Sequence, residues 1–215
     1  MIKMQNLNII LFLCFTVPLS MAVFVCGKKS KRVLLFFFFG TVMCLFCGDV
    51  ASLLLKFSSI DLITYSKFIA PLTEEIFKAI PIIIFACFFK PEKRALLECS
   101  LLLGVGFGML ENAYVIALNS ANIVLGDVLG RAFGSGMMHG VCTFAVGYGL
   151  TFFASEKRFR RFFALGLGVL AVCYHSLYNV LVLSRYAVVG FVMPILLFVP
   201  IVLLTRKAAD NDENS

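Results

Sequence analysis

Charge is scarce in this chain. Only 14% of its 215 residues are Asp, Glu, Lys or Arg, whereas 61% are hydrophobic, and the mean hydropathy is +0.99. A soluble domain of this length needs far more polar surface, so that class is excluded. Histidine is scarcer still, with two in the whole chain. No His-Glu-x-x-His run occurs, which removes the helical signature of the soluble zinc enzymes. The eight cysteines are scattered, almost all within apolar runs, and imply no disulfide framework. Cys44 and Cys47 form a Cys-x-x-Cys that reads as a pair of small apolar residues on one helix face.

What is present is a series of apolar runs about 20 residues long, the length that crosses a hydrocarbon core as a helix. They predict an all-α polytopic transmembrane bundle of about seven spans. These run roughly Leu7–Cys26, Val33–Leu55, Ser66–Phe89, Ala95–Leu118, Val128–Ala154, Phe162–Leu183 and Tyr186–Thr205. Residues 1–207 then form a single membrane domain, with its polar motifs between residues 66 and 183, and Ala208–Ser215 form a disordered acidic tail. The first run is too long for a signal-peptide core, and its basic cluster follows it, so it is expected to stay as an uncleaved span. The net charge of +7 raises nucleic acid as a partner. The basic residues, however, sit in short clusters between spans, which points to a lipid bilayer and not to nucleic acid. Lys28, Lys29, Lys31 and Arg32, then Lys90, Lys93 and Arg94, then Lys157, Arg158, Arg160 and Arg161, then Arg206 and Lys207 all fall on one side. The other side holds Lys3, Lys56, Lys67 and Arg185. The positive-inside rule therefore puts the N-terminus outside and the C-terminus in the cytoplasm.

The few ionisable residues inside the spans carry the functional signal, because each costs a few kcal/mol at membrane depth unless it has a partner, water or a task. The third span holds Glu74, Glu75 and Lys78. Glu74 and Lys78 are i,i+4 neighbours and are expected to pair, leaving Glu75 about 100° round the helix. Pro81 is expected to kink the span just beyond them. In the fourth span Gly104, Gly106 and Gly108 permit close helix approach and carry Glu111 and Asn112 into the bundle. No strand precedes them, so they are not a nucleotide loop. In the fifth span Arg131, Ser135 and His139 share a face; in the sixth, His175 and Asn179 do. Counted from the outer span ends, Glu75, Glu111, His139 and His175 lie at depths of roughly 10–17 Å at 1.5 Å per residue. One cavity open to the outside follows from that agreement. Three readings are compatible with such a cavity: an enzyme site, a proton or ion relay of a transporter or channel, and a non-catalytic scaffold. No clear inverted repeat favours the second.

Glu-Glu-x-x-Lys (Glu74, Glu75, Lys78), Phe-x-x-x-Glu-Asn (Phe107, Glu111, Asn112), His139 and His-x-x-x-Asn (His175, Asn179), in this order on successive spans, resemble the PrsW family of intramembrane proteases. The CAAX prenyl endopeptidases are relatives that carry histidine where this chain has Glu111. The resemblance implies hydrolysis of a peptide bond in a membrane-anchored protein substrate on its extracytoplasmic side, with an anti-sigma factor as the type of substrate. It implies a multi-pass protein of the cell membrane, a bacterial plasma membrane, acting in stress signalling. It also implies Glu75 as the base that activates water, Glu74 and Lys78 as setting its position and charge, His139, His175 and Asn179 as groups that hold the water or stabilise the oxyanion, Glu111 as a further catalytic or metal-binding residue, and Asn112 as a supporting one. Two cofactor readings stay open: a metal-free glutamate-activated water, or Zn²⁺ held by Glu75, Glu111, His139 and His175. The sequence is silent on oligomeric state.

Overall fold

The structure, a computed structural model, describes residues 12–20, 23, 31–118, 125–153 and 158–213. Residues 12–20 form α1, the described part of the expected Leu7–Cys26 span; the rest of that span, Val23 apart, lies outside the described residues. The remaining helices are α2 (Lys31–Phe57), α3 (Leu62–Thr64), α4 (Ala70–Ile84), α5 (Lys93–Leu118), α6 (Leu125–Phe153), α7 (Arg158–Val182) and α8 (Ala187–Glu213). No strand occurs among the described residues. Of these, α2, α5, α7 and α8 contain stretches long and apolar enough to cross a membrane.

The expected third span is a compound helix. A π-helical turn at Tyr65–Ile69 joins α3 to α4, and a second at Phe85–Phe89 follows α4. Asp61 caps its start by accepting hydrogen bonds from the Ile63 and Thr64 backbone N–H groups, and its hydrogen bonds, those from Thr64 first, hold its carboxyl below the usual carboxylate range. Pro81 lies inside α4, and the helix continues through it before loosening into the second π turn. Lys90 then adopts a left-handed conformation, and Pro91 prevents the helix from resuming. One expectation fails at the C-terminus. Ala208 to Glu213, expected as disordered tail, continue α8. No glycine or proline separates them from Thr205, so nothing in the sequence stops the helix that the apolar span begins.

The α5 helix is the axis of the bundle. Its most apolar stretch is 61% buried, whereas those of α2, α7 and α8 are 28%, 17% and 24% buried. It packs on α2 and α4 through Phe36, Phe37, Ile82, Phe85, Leu102 and Leu103, and on α6 and α8 through Leu97, Leu101, Met137, Val141, Phe198 and Ile201. Between apolar helices in lipid no hydrophobic force favours contact, so close van der Waals fit has to supply it. Glycine makes that fit possible on both sides of α5. A Cβ on Gly106 would overlap the Phe37 carbonyl oxygen of α2, and one on Gly104 would overlap the His139 carbonyl oxygen of α6. The second contact brings α5 against the stretch of α6 that bears His139.

Gly104→Ala is therefore expected to lower stability by about 1–3 kcal/mol, the usual cost of forcing atoms into a filled core. Gly48→Ala on α2, whose Cβ would meet nothing within 4 Å, is expected to be neutral or slightly stabilising. Thermal unfolding of the two variants in detergent micelles measures the difference. Equal unfolding temperatures would show that the α5–α6 seam is looser than described.

Candidate functional site

The site is assembled by α4, α5, α6 and α7, one polar cluster from each. Lys78 on α4 is its centre. The side chain is fully buried, and its Nζ donates to Glu75 Oε1 at 2.6 Å and to His139 Nδ1 at 2.9 Å. The ammonium also stands 4.8 Å from the centroid of the Phe107 ring, a favourable place for a desolvated cation. This differs from the expected Glu74–Lys78 pair. Both glutamates are within reach of Lys78 along one helix, and the choice between i−3 and i−4 is made by burial. Lys78 points into the bundle towards Phe107 and His139, and Glu75, 3% exposed, lies on that same inward face.

The ammonium also fixes the histidine chemistry. It has only donors, so His139 Nδ1 has to accept. The proton of the neutral ring then sits on Nε2, which donates to Glu111 Oε2 at 2.6 Å. Ser135, one turn earlier on α6, donates to the same oxygen at 3.4 Å, so the expected shared face of Ser135 and His139 is used to hold Glu111. On α7, His175 Nδ1 lies 2.8 Å from Glu75 Oε1. That oxygen is a carboxylate acceptor already bound to Lys78, so Nδ1 is the donor and Nε2 keeps its lone pair. His175 Nε2 faces Glu74 Oε2 at 3.8 Å. Glu74 Oε2 itself is buried without a hydrogen-bond partner. The two imidazoles meet edge to face, with ring centroids 4.8 Å apart.

Glu75, Glu111, His139 and His175, which the sequence places at one depth, are thus joined in one hydrogen-bonded network around Lys78. Asn179 is not part of it. Its Nδ2 donates to the carbonyl oxygen of Ser66 at 2.8 Å, tying α7 to the first π turn, where the widened helix leaves carbonyls in need of donors. Asn112 is completely buried and donates to the Arg131 carbonyl oxygen at 3.0 Å, anchoring the N-terminal part of α6 to α5. Cys47 is buried and Cys44 half-buried, both as free thiols, in keeping with their reading as small apolar residues. Two features escaped the sequence. One is the Glu75–His175 bond, which links residues a hundred positions apart. The other is Tyr178, a buried phenol three residues after His175 and without a hydrogen-bond partner.

A metal would find its nearest donors in Glu74, His139 and His175, each with a ligand atom within 4.8 Å of the others. Glu75 and Glu111, expected in that role, are not in this set. The donor set does not suit a zinc ion as it stands. Both nitrogens of His139 are engaged, one by Lys78 and one by Glu111. That leaves two free ligands where a catalytic zinc takes three. A dication here would also share His139 with an ammonium 2.9 Å from its ring. The cationic position of the site is already taken by Lys78.

The chain matches the family described as PrsW family intramembrane metalloprotease over residues 29–205, a stretch that contains every site residue named above. No curated protein and no solved structure matches it.

Removing the central cation tests the network. Lys78→Met strands Glu75 in a buried position, and breaking such a pair is expected to cost about 3–5 kcal/mol. Adding Glu75→Gln removes the stranded charge and is expected to restore more than half of the loss. Thermal unfolding of the two single variants and the double variant in detergent reads the coupling, and strictly additive losses would show that the pair is not the centre of the site.

Proposed function

The chain belongs to the PrsW family of intramembrane metalloproteases, and from that membership we propose that it hydrolyses a peptide bond of a membrane-anchored protein by a metal-free mechanism in which Glu74 activates the water. The observation that carries this reading is the placement of the two adjacent glutamates. Each keeps one buried oxygen without a partner, Glu74 Oε2 and Glu75 Oε2. Glu75 is held through its other oxygen by Lys78 and His175, whereas Glu74 Oε2 lies 3.8 Å from the free nitrogen of His175. One water can donate a proton to each of these two acceptors and turn its lone pair to a carbonyl carbon. Glu74 takes the proton as the bond forms and returns it to the departing amine; a well-placed base of this kind contributes about 10²–10⁴-fold.

The remaining residues serve position. Lys78 holds Glu75, Glu75 holds the His175 ring, and the His175 tautomer follows from that contact. His139 and Ser135 orient Glu111, whose side chain is 28% exposed. A carboxylate at the opening of the site is suited to receive a backbone N–H of the substrate. The charge distribution supports an extracytoplasmic opening, and a single-span protein cut near that face, of which an anti-sigma factor is the family's example, suits such an opening. Fusion of green fluorescent protein to the C-terminus is expected to fluoresce, as it does on the cytoplasmic side; a dark, fully expressed fusion would reverse the orientation.

The glutamates give the chemical test. Glu74→Gln is expected to abolish the protein's membrane-proteome cleavage products while leaving its unfolding temperature close to wild type, and Glu75→Gln to lower both activity and unfolding temperature. Products from the purified wild type are expected to persist in a chelator. Undiminished cleavage by Glu74→Gln, or a loss in chelator that zinc restores, would overturn the mechanism.

A further inference from the structure

We propose that Tyr178 is a further catalytic residue, whose hydroxyl donates a hydrogen bond to the oxygen of the scissile carbonyl as water adds to it. The inference rests on the hydrolytic reading above and deepens it, because the network described so far contains a base and its supports but no group committed to the oxyanion.

Tyr178 is 3% exposed, and its phenolic oxygen is buried with no hydrogen-bond partner. Such a hydroxyl costs about 1–3 kcal/mol in a folded protein. The ring is wedged against Met138, Cys142 and Ala171, so the hydroxyl is held in place. Its surroundings are those of the site, because Met138, against which the ring packs, directly precedes His139 on α6, and His139 holds Glu111 at 2.6 Å. Tyr178 is three residues beyond His175 on α7 and therefore on a neighbouring part of the same face.

Four other donors read from sequence have partners elsewhere. Lys78 serves Glu75 and His139, the Nε2 proton of His139 serves Glu111, and the Nδ1 proton of His175 serves Glu75. Asn179, the donor expected from sequence, serves Ser66. Tyr174 also lacks a partner, but it lies one helical turn before Tyr178 on α7 and is only partly buried against Met138 and Cys142. In the step itself, Glu74 removes one proton from water and the water oxygen bonds to the carbonyl carbon. The π-electron pair moves onto the carbonyl oxygen, which Tyr178 stabilises while keeping its own proton. The pair then returns, the C–N bond breaks, and the amine leaves with the proton held by Glu74.

The test compares full-length wild type, Glu74→Gln, Tyr178→Phe and Tyr174→Phe in membranes, following new protein N-termini over time, with unfolding temperatures measured in detergent. Tyr178→Phe is expected to slow the Glu74-dependent products by about 10²-fold or more, as loss of an oxyanion donor does. Its unfolding temperature is expected to equal or exceed wild type, because the group removed had no partner. With one cleaved protein purified as substrate, the loss is expected in kcat and not in KM. Tyr174→Phe is expected to cleave at the wild-type rate. Wild-type cleavage by Tyr178→Phe overturns the proposal, and so does a fall in its unfolding temperature, which would mark the hydroxyl as structural. If no product depends on Glu74, the hydrolytic reading itself fails and the assignment of Tyr178 falls with it.

Discussion

A buried ammonium organises this protein. An unpaired charge at membrane depth is costly, and Lys78 is fully buried, so the surrounding helices have to answer each of its needs. Glu75 supplies the counter-charge, His139 a neutral acceptor and Phe107 a π face. These answers come from α4, α6 and α5, and Glu75 passes the constraint to His175 on α7. One cation thus sets the relative position of four helices. It also decides which nitrogen of each histidine bears a proton, something no apolar packing can specify.

The network has a steric precondition. His139 reaches Glu111 at 2.6 Å only because α5 and α6 approach until their backbones touch at Gly104, and Gly108 leaves room for the imidazole, whose Cδ2 would stand 2.8 Å from an added Cβ. Larger residues would hold the helices apart by more than a hydrogen bond can span. The glycines of α5 therefore act through distance. They bring a carboxylate and an imidazole on different helices within bonding range, and the resulting bonds then oppose separation of the helices.

Much of this was legible in the sequence, for identifiable reasons. Apolar runs gave α2, α5, α6 and α7 to within a few residues, because in a bilayer hydrophobicity and length are the same constraint. The common depth of Glu75, Glu111, His139 and His175 followed from counting residues, since a helix converts number into height. Azimuth was harder. Glu74 and Glu75 differ by about 100°, and which of them meets Lys78 depends on where α5 and α6 lie. The π turn that captures Asn179 has no sequence signature of its own, so an i,i+4 spacing from His175 looked like a shared site when it was a structural tie. The α8 helix runs on to Glu213 through an acidic stretch that contains no helix-stopping residue.

The identity of the pair formed by Lys78 bears directly on what the site can do. Had Lys78 paired with Glu74, the carboxylate nearest the free nitrogen of His175 would be neutralised by an ammonium and its proton affinity spent. Pairing with Glu75 places the positive charge one residue away, where it fixes the scaffold and leaves a Glu74 oxygen without a partner. A metal would combine both tasks in one ion, holding the ligands and acidifying the water. On the proposed metal-free reading the tasks are divided: the ammonium holds, having no open coordination position to offer, and a carboxylate takes the proton. A medium that penalises each unsatisfied polar group makes the bare oxygens of Glu74 and Glu75 and the bare hydroxyl of Tyr178 costly. On the proposed hydrolytic reading, a peptide bond with its attacking water would give Glu74 a proton to accept and Tyr178 an oxygen to donate to.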